Sequence, residues 1–465
     1  MTADILLVKV TKKAAPEIPI QLKKTQILLL GTLAGAGAFY GSVENGQFNT
    51  FINGVLRFEI GSFWAWWMVP LMTSFSALMG LIFMLVWGAY SDNYFSRWGH
   101  RKPFLLAGIV AGIAMLLYLL STSFWLCFFL DVFIIGIFMN AVLAANNSLI
   151  PEMTKQGERG RVNARVNVIS GLFGIISMGL FLLADALFSF RASDGQDYLN
   201  HEGHFWLIMI TCLLYITITV GCFFGIKEPA LRPTTPANKS WYKEISSSFQ
   251  FAELRKQKEF FKIILATLVF NIAPKIFLPW IFEFFTKLPI NMIIIAIAAG
   301  IYLFCGFGIS LLLGKFCDAR GRKMPLIVSI MIGSIGFMLV PLLTVTLNYI
   351  LLIVVIVLIL FILNGVPTIL GSWTQDLLPL EKIGQFTGIN NISSTINQFI
   401  GVWIGGVVYM LTGGNIAWNM CIAGFVYLAS IPFFLLVKET LGTPAAHLAM
   451  NDGTPVKEIQ DLERK

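Results

Sequence analysis

Twelve apolar runs, divided by short polar breaks, make up most of this chain: 26–50, 64–90, 103–121, 124–149, 166–189, 205–226, 261–286, 290–313, 325–346, 349–372, 386–411 and 416–437. A helix that crosses a bilayer needs about 20 mostly apolar residues. The runs are continuous, not alternating, and roughly twice the length of a barrel strand, so the pattern predicts helices and not a closed β-barrel. The predicted fold class is therefore an all-α integral membrane protein of twelve transmembrane helices.

The polar breaks carry a charge bias. With the N-terminus placed in the cytoplasm, all but four of the 33 Lys and Arg residues fall in segments on that side, the four being Arg57, Arg191, Lys275 and Lys287. Such a bias sets orientation, so both termini are expected in the cytoplasm of a multi-pass plasma-membrane protein. It also accounts for the net charge of +8: basic loops face an anionic leaflet, and no nucleic-acid partner is expected. Composition agrees, since 57% of residues are hydrophobic and only 12% charged, where a soluble domain has about 25% charged. The six cysteines are scattered without a Cys-x-x-Cys pair, so neither a disulfide framework nor a zinc site is expected. His201 and His204, in "HEGH", lack zinc-protease spacing and are expected in an outer loop. The first 25 residues read as a cytosolic tail and not a cleaved signal.

The longest break, 227–260, divides the runs six and six. The expected organisation is a tail 1–25, a six-helix bundle 26–226, a central loop 227–260, a second bundle 261–437 and a tail 438–465. Two landmarks recur with nearly one period. Gly88 and Asp92 in "GAYSDNYFSRWGHRKP" are echoed 226 residues later by Gly314 and Asp318 in "GKFCDARGRKMP", and Pro151 of "IPEMTKQGERGRVN" is echoed 228 residues later by Pro379 of "LLPLEKIGQFTGIN". The chain reads as a duplicated six-helix unit.

With these two charged loops after the second and eighth runs, the chain resembles the major facilitator superfamily of secondary transporters. The extended spacing of Asp92, Ser96, Arg97, Trp98, Gly99, Arg101 and Pro103 resembles the glycoside-pentoside-hexuronide and sucrose-type sugar-cation symporters. The resemblance implies two pseudo-symmetric bundles that rock about a central site, a functional monomer, and a sugar or glycoside as the small-molecule substrate, taken up with a proton. An exporter of amphipathic, drug-like solutes and a transporter-like receptor that moves nothing are the alternatives. No enzyme is expected, and no cofactor beyond the coupling ion, a proton with sodium as the alternative. The resemblance also assigns a cytoplasmic gate to Asp92, Arg97, Gly99, Arg101, Lys102, Arg161, Asp318, Arg322 and Asp376, with Glu152 and Glu381 as further candidates for the side opposing Asp92 and Asp318. A carboxylate at a helix C-terminus, as Asp92 is, opposes the helix dipole and calls for a partner. His100 stands where the pattern usually has Arg or Lys.

Within the runs, ionisable side chains are few: Glu44, Asp131, Asp185, Lys275 and Glu283. Each costs roughly 2.5–3.5 kcal/mol at mid-bilayer on insertion scales and is a functional candidate. Glu44 and Asp131 are candidates for carrying the coupling proton. Lys275, framed by Pro274 and Pro279, is a candidate substrate contact or an ion-pair partner of Glu44 or Asp131; Asn271 and Trp280 flank it. Asn140, Asn147, Asn364, Asn390 and Asn397 offer amides suited to a hydroxyl-rich substrate, or to helix packing. The stripe Gly31, Gly35, Ala38, Ser42 and Asn45 allows close packing or a cavity lining, and the stripe Asn390, Ser394, Asn397 and Gly401 suits ligand contact or helix packing. The second run has no acidic residue, which argues against a sodium site of the melibiose-symporter type.

Overall fold

The computed structural model describes residues 22–52, 66–94, 96–121, 123–154, 159–191, 197–228, 258–287, short helical pieces between 301 and 317, 321–346, 348–377 and 383–439. Eleven apolar helical elements occupy them. α1 runs Lys24–Ser42, a π turn Val43–Gln47 and Phe48–Phe51; α2 is Met68–Asn93; α3 is Lys102–Tyr118. α4 comprises Phe124–Phe129, a π turn Leu130–Ile135 and Gly136–Met153; α5 is Arg159–Phe188 and α6 His201–Gly225. α7 comprises Lys258–Phe277, a 3₁₀ turn Leu278–Trp280 and Ile281–Lys287. α8 is Lys323–Met338 with Val340–Thr346; α9 is Tyr349–Leu360, a π turn Phe361–Gly365 and Val366–Leu377; α10 is Ile383–Leu411 and α11 Ile416–Leu435. Ten of these elements are long and apolar enough to cross a membrane, and α3 is shorter but apolar. The eighth apolar run, 290–313, lies largely outside the described residues; its described pieces meet α9, where Ser310 Oγ donates to the Asn364 carbonyl at 3.4 Å.

Large apolar side chains stay on the outside, among them Phe224 at 76% and Val345 at 81% exposure. In water such a belt is a liability, whereas in hydrocarbon it is the expected surface. A two-stranded antiparallel hairpin, β1 (Ser189–Arg191) with β2 (Asp197–Leu199), joins α5 to α6. α6 then starts at His201, where Asn200 caps it by accepting from Gly203 N at 2.8 Å. The expectation that the "HEGH" segment lies in a loop is therefore corrected: it is the first helical turn, and His204 is fully buried.

α1 packs on α5 and α6, α2 on α4, and α3 on α6; α7 packs on α10 and α11, and α8 on α9 and α11. The small-residue stripes serve this packing. A Cβ on Gly35 would meet the Phe173 ring of α5, and one on Gly401 would come within 2.5 Å of Lys275 Cβ. Gly35 and Gly401 are thus points of close approach, whereas Ser394 on the second stripe is exposed.

The two groups of helices meet through α2 and α10. Trp403 Nε1 donates to Ser74 Oγ at 3.2 Å, and a Cβ on Gly406 would come within 2.5 Å of Pro70. Gly46 of α1 lies directly under the Phe282 ring of α7, which also contacts Phe181 of α5 at 4.4 Å. These residues sit near the helix ends remote from the loops of 91–103 and 151–165. Described residues of the two groups of helices are in contact on that side, called here the far side; the other is the basic side.

π and 3₁₀ turns fall in the first, fourth, seventh and tenth runs, and one-residue interruptions at Leu106 and Leu339 fall in the third and ninth. In α7 the cause is explicit: Pro274 and Pro279 supply no N–H and crowd the preceding turn. Asn419 of α11 answers one exposed carbonyl, donating to Ile276 O at 3.0 Å. A π turn inserts one extra residue and turns its side chains away from the regular helical face. Glu44, Asp131 and Asn364 lie within the three π turns, and Lys275 lies just before the 3₁₀ turn.

Candidate functional site

Glu44 and Asp131 come together between α1, α2 and α4. Both lie in π turns, of α1 and α4. Ser76 of α2 stands beside both carboxyls. Asp131 is 2% exposed, and its Oδ1 has no hydrogen-bond partner among the described residues. Three buried tyrosines enclose the pair, with Tyr40 and Tyr215 near Glu44, and Tyr40 and Tyr118 near Asp131. Their hydroxyls are engaged elsewhere: Tyr40 donates to Ala111 O at 3.0 Å, Tyr118 to Met72 Sδ at 3.5 Å and Tyr215 to Met139 Sδ at 3.0 Å. Glu44 is half-buried and Asp131 buried; two neighbouring carboxyls with so few donors repel one another when both are charged, and a single proton relieves that repulsion. Chemically, this is a site that can take up and release a proton.

Lys275 lies one turn beyond Asn271 on α7, both half-buried. Burial is what acts on the Lys275 amine; no acidic group among the described residues pairs with it, Glu44 and Asp131 included. Asn397 is buried one turn from Gly401, and its Oδ1 has no partner among the described residues. Trp280 is committed to packing. It is 2% exposed and stacks on Tyr409 at 5.8 Å, whose hydroxyl donates to Glu283 Oε1 at 2.7 Å. Asn140 donates to Gly136 O at 2.7 Å and abuts Gly80 of α2. Asn147 is exposed, and Asn364 lies against Gly306. Asn390 falls on α10, its side chain outside the described residues.

The basic side holds a charge cluster built on α2, α3 and α4. Arg101 donates to Glu152 Oε1 from Nε at 3.0 Å and from Nη2 at 2.7 Å, and its Nη1 reaches Ser91 Oγ. His100 Nε2 lies 3.1 Å from Glu152 Oε2, and its Nδ1 lies 3.3 Å from Ser91 O. Burial pushes the Glu152 carboxyl up, but hydrogen bonds and charge from His100 and Arg101 outweigh it and hold Glu152 below its usual range. For His100, burial opposes the charge, and Glu152 with the Ser91 carbonyl raises it above the usual value nonetheless. Glu152 therefore does not stand across the seam from Asp92: it is held within the first group of helices by its own basic neighbours.

Of the remaining gate candidates, Arg97 is exposed and lies 4.5 Å over the Trp98 ring, and Lys102 Nζ lies 5.7 Å over Phe223. Asp92, Arg161 and Asp376 fall within α2, α5 and α9, but their side chains, like all of Asp318, lie outside the described residues.

Sequence reasoning missed two glutamates. Glu228 accepts from His100 N at 2.8 Å, from Arg101 N at 3.0 Å and from Lys102 N. It occupies the space that a Cβ on Gly99 would fill, and Gly99 has φ +116°. Glu439 repeats the arrangement, accepting from Arg322 N at 3.0 Å and Lys323 N at 2.8 Å beside Gly321 with φ +88°. Each carboxylate caps the first turn of the following helix. The signal was present: a Lys–Glu pair follows both the sixth and the twelfth runs, as Lys227–Glu228 and Lys438–Glu439.

A family model described as Major Facilitator Superfamily matches residues 48–402. A lactose permease of Lactobacillus helveticus is 25% identical over 213 residues, which cover 43% of this chain and 33% of that protein. The match thus spans about a third of that relative's length. Among solved structures, the inward-open xylose transporter XylE from E. coli superposes with a TM-score of 0.64 at 14% identity, covering 94% of this chain and 99% of that one. A D-xylose-proton symporter superposes with a TM-score of 0.63 at 13% identity, covering 89% and 97%. At these identities the structural likeness concerns the fold.

Proposed function

The chain belongs to the Major Facilitator Superfamily, a family of transporters and not of enzymes, and we propose that it moves a sugar or glycoside together with a proton by alternating access. The observation that carries the reading is the carboxyl pair of half-buried Glu44 and buried Asp131 beside Ser76. A proton taken there discharges a group on α1 and α4, two of the helices broken by a π turn, and so biases how the bundles rock. On the other group of helices, Lys275, with no acidic partner among the described residues, and Asn397, whose Oδ1 has none there, together with Asn271 offer donors and an acceptor for solute hydroxyls. The likeness to a lactose permease and to a D-xylose-proton symporter supports a neutral sugar as solute and a proton, not sodium, as the coupling ion.

The same reading divides the chain into bundles 26–226 and 261–437, joined by 227–260, with tails 1–25 and 438–465. It sets the basic side, with both termini, in the cytoplasm of a plasma-membrane protein acting as a monomer. On the basic side, Asp92 and Asp318 act as gate residues with Arg97, Gly99, Arg101, Lys102, Arg161, Arg322 and Asp376. Flux of a panel of neutral sugars into proteoliposomes tests the proposal. Uptake of one of them that is lost in Glu44→Gln supports it. Flux of amphipathic toxins alone favours export, and binding without flux under any gradient leaves a receptor.

A further inference from the structure

The two copies of the charged loop share one backbone feature and differ in one chemical respect. Gly99 and Gly321 both take positive φ, each against a capping glutamate, Glu228 or Glu439. The residue that follows is His100 in the first copy and Arg322 in the second. Arg keeps its charge at all accessible pH, whereas a histidine changes charge between about pH 5 and 8. His100 is 7% exposed and is not a surface residue. Its ring bridges two helix ends, with Nε2 3.1 Å from Glu152 at the end of α4 and Nδ1 3.3 Å from the Ser91 carbonyl at the end of α2. Ser91 directly precedes Asp92.

We propose that His100 is a pH-responsive positioning residue: protonated, it adds a second tie between the Asp92-bearing end of α2 and α4, and deprotonated, it loosens that tie. A protonated ring donates at both nitrogens, so Glu152 and Ser91 O are engaged together. A neutral ring carries one N–H and can donate to only one of them. Among the described residues, the ring faces Glu152 from α4, the Ser91 carbonyl from α2 and the adjacent Arg101, with Glu228 on the backbone N–H. Arg101 keeps its own bonds to Glu152 and Ser91 at any pH, so deprotonation loosens the cluster without dissolving it. The transport reading above enters only in naming this helix end a gate.

The sign is fixed by linkage. His100 is held above its ordinary value of 6.5 by burial opposed and exceeded by Glu152. Its contribution is complete below about 6.5 and is lost as pH rises through the raised value.

The test compares the full chain with His100→Arg and Glu152→Gln in detergent, from about pH 6 to about pH 9, by thermal midpoint and by amide exchange of residues 91–103. In the wild type the midpoint falls with rising pH and exchange in 91–103 quickens. His100→Arg, matching the second copy, flattens both profiles, and Glu152→Gln flattens them at a lower midpoint. A His100→Arg profile that keeps the wild-type slope overturns the proposal. Should the variants fail to fold, NMR titration of His100 in the wild-type chain decides: a value at or below the ordinary one overturns it, and a higher one supports it. None of these readouts requires flux, so a failure of the transport reading would be seen separately.

Discussion

Glu44 and Asp131 stand on different helices, and the same side chain, Ser76, lies beside both. The proposed function makes this pair the place where proton binding is coupled to the shape change. The expected effect of Glu44→Gln or Asp131→Asn is loss of pH-driven accumulation of solute by about 5–150-fold, the usual span of a coupling free energy of about 1–3 kcal/mol. Exchange of labelled for unlabelled solute, which needs no net proton movement, persists. Flux assays in both modes check the split.

Gly46 and Phe282 form part of the far-side contact between the two groups of helices. Gly46→Val puts side-chain atoms where the Phe282 ring lies. Overpacking of this kind costs about 1–3 kcal/mol, and here it falls on the far-side contact. The variant should favour separation of the far-side ends of α1 and α7, read as a longer distance between spin labels placed there. Gly405→Val is the control: its neighbours Ile276 and Trp280 lie on α7, within the same group of helices, so it should lower the thermal midpoint without that separation.

Glu228 and Glu439 give a paired prediction. Removing a carboxylate cap leaves helix N–H groups without acceptors, at a cost of about 0.5–2 kcal/mol. Glu228 is partly buried and Glu439 exposed, so water replaces the cap better at Glu439. Glu228→Ala should lower the thermal midpoint more than Glu439→Ala does.

Acid stability follows from Glu152. Its carboxyl is held below the ordinary value of 4.5, burial being outweighed by His100 and Arg101. Its contribution is therefore present above that ordinary value and is lost as pH falls through the lowered one. Acid unfolding monitored by tryptophan fluorescence should begin at higher pH, and from a lower starting stability, in Glu152→Gln.

Most of the architecture was legible because a bilayer imposes one rule, about 20 apolar residues per crossing, and the chain states it run after run. The breaks in α1, α4 and α9 were not legible. A π turn adds one residue to a helix without changing its composition, so no pattern of apolar positions marks it, whereas the break in α7 was announced by Pro274 and Pro279. Side-chain direction was also hidden. Asn364 and Lys275 both read as polar residues at mid-span, yet Asn364 lies against Gly306 while Lys275 keeps no acidic partner among the described residues. The Gly31–Gly35 stripe read equally as cavity lining or close packing, and the bulk of Ile169 and Phe173 opposite decides for packing. His100 was visible as a departure from the usual basic residue, but its meaning needed the Glu152 and Ser91 contacts.

The most direct test of proton-coupled sugar transport is uptake of labelled lactose and xylose into proteoliposomes under an imposed pH gradient, acid outside. Accumulation of one of these sugars above its outside concentration, abolished by a protonophore and absent in Glu44→Gln, is the predicted result. Uptake that ignores the gradient and survives Glu44→Gln, or no uptake of either sugar under any gradient, contradicts it.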